Sequence, residues 1–262
     1  MPKRNAKPTL SVIIPCYNEE RNLEKKKLNE VSGYLSGQQY NWEVIIVNDG
    51  STDNSRALIH DIIENHASFS LIDIPHRGKP WAIWSGIQEA NGDILLLTDM
   101  DQSTPIEELD RLLPWLEKGF DVVIGSRGTM RQGFSIIRKI GSIIFKQLRR
   151  VFLLRNINDT QCGFKTCRRE AALEIFPRLR YFKHEKTPTG WKVSAYDVEL
   201  LYLFQEAGYS IKEVEVTWCD RDQSDTKCHQ GNLIRYVNES IEMAHEVLRV
   251  KLNQVKGLYD KI

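Results

Sequence analysis

The sequence has no long apolar run, no paired cysteine motif and almost no net charge. Its longest unbroken apolar runs are four or five residues, far short of the roughly 20 that a membrane span requires, so we expect neither a span nor a signal peptide. Five cysteines occur without a C-x-x-C pair, which is typical of reduced thiols in a cytoplasmic protein. The formal net charge of +1 gives no field that would attract nucleic acid, so we expect no nucleic-acid partner.

Two glycine-rich nucleotide motifs are also missing. No G-x-G-x-x-G opens a helix after the first predicted strand, and no G-x-x-x-x-G-K-[ST] occurs in the chain. The first absence disfavours a dinucleotide oxidoreductase and the second a P-loop hydrolase. A nucleotide bound to this chain would therefore meet carboxylates and amides rather than a glycine-rich loop.

The first half of the chain alternates short apolar runs with amphipathic segments. The apolar runs predict strands at residues 10–14, 43–47, 69–74, 93–97 and 121–125. The segments between them carry apolar residues at helical spacing. Near-continuous apolar strands separated by amphipathic helices favour an α/β fold, with a mostly parallel sheet and helices on both faces.

The second half has a different pattern. It predicts a basic helix at about 133–154, a short helix at 169–176, a helix at 196–208, a strand at 210–218 and a long helix from about residue 232. The last helix carries one apolar stripe, which we interpret as a packing face. That stripe consists of Leu233, Val237, Ile241, Ala244 and Leu248.

Four of the five first-half strands end in polar residues, and the stretch ILLLTDMD is the most informative. In a parallel α/β sheet, ligands bind beyond the carboxyl ends of the strands, where Asp99 and Asp101 would lie. Two carboxylates in a desolvated cleft cannot hold phosphate oxygens directly, because like charges repel. A divalent cation, Mg²⁺ or Mn²⁺, removes this conflict by binding carboxylates and substrate phosphates together. The motif therefore predicts a metal-held diphosphate, with a nucleotide-sugar as the natural donor.

Six motifs together resemble the family 2 glycosyltransferases of the GT-A fold. They are LSVIIPCYNEE, VNDGSTDNS, HRGK, TDMDQSTPIEEL, VIGSR and NDTQCGFKTCRREAALEIFPRL. With the later block YDVELLYLFQEAGYSIKEVEVTW, they look most like the dolichyl-phosphate glucosyltransferase and polyprenyl-phosphate sugar transferase branch. The resemblance covers about residues 9–220 and implies an α/β fold of the GT-A type and an inverting displacement.

The resemblance also implies a division of the chain. Residues 1–8 are expected to form an N-terminal tail, residues 9–220 the GT-A glycosyltransferase domain and residues 221–262 a C-terminal helical extension. Within the domain, residues 9–128 would form the nucleotide-sugar-binding half. Residues 129–220 would form the acceptor half, which contains the predicted basic amphipathic helix.

Matching positions in the motifs imply site residues. Those implied to bind the nucleotide-sugar are Pro15, Tyr17, Asn18, Glu19, Asp49, Lys79 and Asp99. Asp99 and Asp101 are the implied metal ligands, and Asp101 is also expected to be catalytic. Tyr17 is expected near the base, and Asp49 is expected to hydrogen-bond the base or the ribose. Asn48 stands where relatives commonly have aspartate, and an amide both donates and accepts hydrogen bonds, so the identity of the base stays open.

The acceptor side is suggested by a stretch rich in positive charge. Between Val122 and Asn158 there is no Asp or Glu, whereas eight Arg and Lys residues occur. The apolar residues among them favour a helix that lies in a membrane interface; the alternative is a core helix with a charged outer face. Arg127 and Arg138 match family positions that resemble acceptor-phosphate ligands, and the planar arginine fork suits phosphate oxygens.

Asp159 and Asp197 are the remaining predicted catalytic residues. A phosphate acceptor is ionised near pH 7 and needs no strong base, whereas a sugar hydroxyl does. Asp197 matches the catalytic aspartate of other family members and would act as that base, and Asp159 is expected to organise the acceptor loop. Either residue could instead cap a helix.

These features predict a metal-dependent inverting hexosyltransferase that moves glucose from UDP-glucose to a polyprenyl or dolichyl phosphate. We expect peripheral contact with the cytosolic face of a membrane, or a membrane-protein partner. Two alternatives stay open. One is a family 2 transferase that acts on a saccharide hydroxyl, and the other is a nucleotide-sugar-binding protein without turnover.

Overall fold

The strands of this protein form one mixed sheet. The computed structural model describes residues 9–64, 66–128, 154, 157–183, 196–221, 245 and 247–259. The predicted tail, the basic helix predicted at 133–154 apart from Leu154, and most of the predicted C-terminal helix lie outside these residues. No helix in the described part is long and apolar enough to cross a membrane.

The sheet contains seven strands in the order β3-β2-β1-β4-β6-β5-β7. They are β1 (Leu10–Cys16), β2 (Trp42–Asp49), β3 (Phe69–Ile74), β4 (Ile94–Leu97), β5 (Val122–Ser126), β6 (Lys165–Arg168) and β7 (Ile211–Glu215). Only the pairs that involve β6 are antiparallel. The prediction of a mostly parallel sheet is confirmed, and every predicted strand is present.

Helices cover both faces of this sheet, as the sequence predicts. They are α1 (Glu20–Glu24), α2 (Lys27–Ser36), α3 (Ser55–Ile63), α4 (Lys79–Glu89), α5 (Leu109–Glu117), α6 (Arg169–Ile175) and α7 (Tyr196–Glu206), with 3₁₀ turns at Ile106–Glu108, Phe176–Arg178 and Arg180–Lys183. Alternate strand residues divide the core: Ile13 packs with α4, α6 and α7, whereas Val12 and Ile14 pack with α1, α2, α3 and α5.

Strand β6 was not predicted, and it changes the edge of the sheet where ligands bind. It lies between β4 and β5 and runs against both, so that Lys165 pairs with Leu97 at the carboxyl end of β4. An antiparallel strand begins at the edge where its parallel neighbours end. The first residue of β6 and the loop before it are therefore delivered to the same edge as the polar residues that follow β1, β2 and β4.

The C-terminal segment packs on α7 through a different stripe from the one predicted. Residues 247–255 are helical, and Val247 and Val250 are buried in the core cluster that contains α7. Leu248, which the predicted packing stripe includes, is exposed. The prediction is wrong for Leu248, because one position along a helix rotates a side chain by about 100°. The other stripe residues lie outside the described part of the chain.

Two helical glycines give a matched test of the packing between α4 and the sheet. A Cβ on Gly86 would lie 2.6 Å from Ile13 Cγ2, whereas a Cβ on Gly33 of α2 meets nothing within 4 Å. Ile13 is fully buried and β-branched, so it has little freedom to move away. Alanine gains about 1 kcal/mol of helix propensity at both positions, but overpacking at Gly86 costs about 1–3 kcal/mol.

We expect Gly33→Ala to raise the free energy of unfolding by up to about 1 kcal/mol and Gly86→Ala to lower it by about 1 kcal/mol. Urea unfolding followed by circular dichroism measures both changes. A stabilised Gly86→Ala variant would show that α4 does not approach β1 as closely as described.

Candidate active site

The candidate site lies between β1 and β4, where the order of the strands across the sheet changes direction. β1 and β4 are neighbours in the sheet, and the chain continues from β1 to β2 in one direction across the sheet and from β4 to β5 in the other. In open α/β sheets this switch point forms a crevice beyond the carboxyl ends of the strands. The residues at and after the end of β1 (Pro15 to Glu19) and those after β4 (Asp99 to Ser103) line the crevice from its two sides. Pro15 itself is the buried penultimate residue of β1.

Backbone and side-chain hydrogen bonds join the loops that follow β1 and β2. Asn18 has a left-handed conformation with φ of 53°. Its amide oxygen accepts from the Thr52 N–H at 2.8 Å, and its own N–H donates to Ser51 Oγ at 3.0 Å. The Glu19 N–H donates to Ser55 Oγ at 2.8 Å. These bonds fix the predicted nucleotide-binding residues Asn18 and Glu19 in one rigid corner.

Asp49 holds the loop that leads into α4. Its carboxylate accepts from the backbone N–H groups of Arg77 at 2.7 Å and Gly78 at 2.8 Å, and it lies 2.9 Å from His76 Nδ1. Burial raises the pKa of Asp49 above its ordinary value, and these donors partly oppose that shift. The His76 ring stacks on Tyr17 with centroids 4.1 Å apart. Asp49 thus connects the β1 and β2 ends to the HRGK motif, whereas its predicted contact with base or ribose stays a prediction.

Asn48, beside Asp49, is also engaged within the protein. Its amide nitrogen donates to Asp73 Oδ1 at 2.8 Å, and its amide oxygen accepts from the Ser51 N–H at 3.1 Å. An aspartate at this buried position would place two carboxylates against each other. The asparagine therefore replaces a repulsion with a hydrogen bond to Asp73.

Lys79 forms an ion pair with Asp99 at the mouth of the crevice. Burial by itself would lower the pKa of Lys79, but the carboxylates of Asp99, Asp197 and Asp101 together raise it above its ordinary value. Asp101 accepts from the Ser103 N–H at 2.8 Å, which turns the chain after the second carboxylate. The lysine thus remains charged, and its field covers both carboxylates of the D-x-D motif.

A small pocket opens between the D-x-D motif and the loop before β6. Asp99, Asp101, Ser103 and Gly163 line it, together with Trp218. A Cβ on Gly163 would overlap the Asp99 carboxylate, so a side chain there would force that carboxylate to move. Gly163 is one of the functional positions that sequence reasoning did not single out, although it lies in the quoted motif NDTQCGFK.

Lys165 is the second such position, and it holds Asp197. Its Nζ donates to Asp197 Oδ1 at 2.7 Å and to the backbone carbonyl of Cys162. Lys165 is buried on β6, and Asp197 is the second residue of α7 and is nearly buried. Burial raises the pKa of the neighbouring Tyr196 well above its ordinary value, and Asp197 raises it further. The sequence signal for this position is a lysine that directly follows the motif QCGF, within a short strand.

Arg127 and Asp159 form a two-point ion pair on the predicted acceptor side. Arg127 Nε and Nη2 donate to the two carboxylate oxygens of Asp159 at 2.7 and 2.8 Å. Burial alone would lower the pKa of Arg127, but Asp159 raises it above its ordinary value. The guanidinium also lies 5.7 Å from the ring centroid of Trp218, within cation–π range. Glu213 of β7 anchors this loop by accepting from the Asp159 N–H at 2.7 Å.

The predicted residues thus come together in two adjoining groups. Tyr17, Asn18, Glu19 and Asp49 lie around the β1 and β2 ends. Lys79, Asp99, Asp101, Arg127, Asp159 and Asp197 lie around the β4, β5 and α7 ends. The HRGK motif connects the two groups, because Asp49 binds its backbone and Lys79 is its last residue. Arg138 lies outside the described residues.

The donor atoms in the crevice fit a hard divalent cation. Asp99 and Asp101 offer carboxylate oxygens to one pocket, next to the hydroxyls of Ser103 and Thr104. Oxygen ligands of this kind suit Mg²⁺ or Mn²⁺. Among the described residues, no group of three or more His, Cys, Asp or Glu could hold a metal. The protein therefore offers two carboxylates, and substrate oxygens would have to complete the coordination.

Comparison with known proteins agrees with this geometry. The model of "Glycosyl transferase family 2" matches residues 11–176. A dolichyl-phosphate beta-glucosyltransferase of Dictyostelium discoideum is 31% identical over 268 aligned residues, which cover 95% of this chain and 76% of the relative. The protein of the same name from Saccharomyces cerevisiae is 30% identical, over 95% of this chain and 76% of its own length.

A solved structure supports the fold. Glucosyl-3-phosphoglycerate synthase from Mycobacterium tuberculosis, in complex with Mn²⁺, UDP and glucosyl-3-phosphoglycerate, aligns with a TM-score of 0.60 over 94% of this chain and 79% of that one, at 18% identity. The predicted GT-A fold is confirmed. Because the family model covers more than half of the sequence, the chain belongs to glycosyl transferase family 2.

Proposed function

We propose that this protein is a metal-dependent inverting glucosyltransferase that moves glucose from UDP-glucose to dolichyl or another polyprenyl phosphate, peripherally at the cytosolic face of a membrane. The observation that carries the proposal is the alignment of 95% of the chain with relatives named for that activity. The carboxylates and cations at the switch point support it, because they suit a diphosphate donor and an anionic acceptor.

On the donor side, each group of residues would have its own task. The corner formed by the β1 and β2 ends, with Tyr17 stacked on His76, would receive the nucleoside. Lys79 would bind the diphosphate, and Asp99 and Asp101 would hold the cation. When bound, Mg²⁺ or Mn²⁺ would neutralise the negative charge that develops on the leaving diphosphate.

On the acceptor side, a phosphate oxygen would form the new bond to the anomeric carbon while the bond from that carbon to the diphosphate breaks. The acceptor phosphate is already ionised near neutral pH, so no side chain has to remove a proton. The Arg127 fork already binds Asp159, and its remaining N–H groups would be available to phosphate oxygens. Catalysis would rest on positioning and charge neutralisation.

Asp197 fits a positioning role better than that of a free base. Its carboxylate receives the buried Lys165 ammonium at 2.7 Å, and this ion pair fixes its orientation. Asp197 would instead fix the first turn of α7 against β6, beside the donor sugar.

The proposal is tested by incubating the full chain with labelled UDP-glucose, Mn²⁺ and either a short polyprenyl phosphate or a panel of saccharide acceptors. We expect a glucosyl phosphate with a β-linkage, assigned by proton NMR, from the phosphate acceptor alone. Product from saccharides only would establish the hydroxyl-transferring alternative. Donor binding without any product would establish a non-catalytic binding protein.

Removal of the cation or of one ligand should abolish transfer. We expect EDTA, and separately Asp101→Asn, to lower the rate of glucose transfer by at least about 100-fold, because charge on the leaving diphosphate is no longer neutralised. Steady-state kinetics with added Mn²⁺ measures the change. Asp61→Asn removes an exposed carboxylate of α3 and is the matched control, with expected wild-type rates. Full activity of Asp101→Asn would contradict the assigned metal ligands.

Substitutions in the Lys165–Asp197 pair should separate stability from activity. Lys165→Met should lower the free energy of unfolding by about 3 kcal/mol, because a nearly buried carboxylate loses its cation. Asp197→Asn in that background should restore much of the stability but leave transfer slow. Chemical unfolding and kinetics on the single and double variants measure this coupling, and Lys165→Arg is the conservative control. Additive changes in stability would contradict the pairing.

A further inference from the structure

Three large apolar side chains on the C-terminal helix are exposed. They are Leu248 at 51%, Leu252 at 56% and Val255 at 73% of their full accessibility. Within the described part of the chain, these are the only large hydrophobic residues exposed to this degree. Isolated exposed apolar residues are ordinary on a protein surface, but a group of them on one element indicates an interaction site.

The three side chains form one stripe with positive charge on both sides. At about 100° per residue, positions 248, 252 and 255 fall within an arc of about 60°. Lys251 lies about 60° to one side of Leu248, and Lys256 lies about 80° to the other side. Residues 247–259 contain three cations, including Arg249, and no Asp or Glu. The buried residues Val247 and Val250 point toward the protein from the opposite part of the helix.

The helix is fixed to α7 close to the candidate site. The fully buried carboxylate of Glu199 accepts from Arg249 Nη2 at 2.8 Å and from the Tyr259 hydroxyl at 2.8 Å. Glu199 lies in the first turn of α7, two residues after Asp197. The stripe is therefore carried by a helix that is bonded to the same turn that presents Asp197 to the crevice.

We propose that the stripe Leu248, Leu252 and Val255, with Lys251 and Lys256 beside it, docks this protein on an anionic lipid bilayer. The apolar side chains would enter the region between headgroups and acyl chains, and the lysines would extend to the anionic headgroups. The inference rests on the proposed function, since an enzyme for a lipid-linked phosphate must meet its acceptor at a bilayer surface.

A bilayer explains this surface better than a second copy of the chain does. Three side chains form a patch much smaller than the roughly 800 Å² per partner of a stable protein interface. Lysines on both sides of the stripe would also face each other across a twofold contact and repel. An anionic lipid surface instead attracts the lysines on both sides at once.

Vesicle flotation of the full chain tests the proposal. The vesicles are phosphatidylcholine with or without phosphatidylserine, and the variant is Leu248→Gln with Leu252→Gln and Val255→Gln. We expect the wild type to float with the anionic vesicles and the triple variant to bind them at least about tenfold more weakly. Lys251→Gln with Lys256→Gln should weaken binding to anionic vesicles only. Lys25→Gln with Lys26→Gln removes two exposed charges elsewhere, and it should bind like the wild type.

Activity measurements separate this inference from the proposed function. The triple variant should transfer glucose to a short, soluble polyprenyl phosphate at the wild-type rate, but more slowly to a long-chain acceptor embedded in vesicles. If the wild type uses neither acceptor, the proposed function fails, whereas the flotation result still decides the docking surface. Equal flotation of wild type and triple variant overturns the proposal. A wild-type dimer that the triple variant loses, measured by light scattering, also overturns it in favour of a second copy.

Discussion

Mutual repulsion among carboxylates is the constraint that organises the crevice of this protein. Four of them, Asp99, Asp101, Asp159 and Asp197, lie around the ends of three strands and one helix. Such a group is stable in a partly desolvated site only when cations or hydrogen-bond donors oppose each charge. The chain supplies Lys79 from α4, Arg127 from the residue after β5 and Lys165 from β6. Each cation comes from a different element, so the ion pairs also hold these elements in register at one edge of the sheet.

The sequence predicted most of the sheet because its strands differ so clearly from its helices. The runs LSVII and ILLL are apolar except for Ser11, since a central parallel strand is covered on both faces, and runs of this length are typical of strands rather than helices. β6 is different: its four residues, KTCR, mix charge with small side chains and have no period to detect. β6 forms because it fills the space between β4 and β5, and that space exists only in the assembled sheet. Lys165 was missed as a consequence, because a lysine is expected to be exposed unless its tertiary partner is known.

Family resemblance predicted which residues lie near the crevice, but it did not predict their hydrogen-bond partners within the protein. Asp49 lies at the end of β2 beside the crevice, yet its two oxygens accept from the backbone of Arg77 and Gly78. A motif fixes a position along a strand, but the partner of a side chain depends on which loop approaches it. The loop here starts a helix whose N-terminal residues bring free N–H groups, and a buried carboxylate is their natural acceptor. The same reasoning applies to Asn48, whose partner Asp73 lies on the neighbouring strand β3.

If the protein has the proposed function, the ion pair between Lys79 and Asp99 links the binding of the donor to the binding of the cation. While the lysine ammonium bonds Oδ1 of Asp99, Asp99 can offer a metal Oδ2 but not both of its oxygens, since the two cations would compete for the lone pairs of Oδ1. A diphosphate entering the crevice offers Lys79 a second set of anionic oxygens. The lysine can then exchange Asp99 for the diphosphate and still have an anionic partner. Both oxygens of Asp99 would then be available to the metal once the diphosphate is in place. Donor and cation should therefore bind cooperatively, because each removes a charge conflict that the other would create alone.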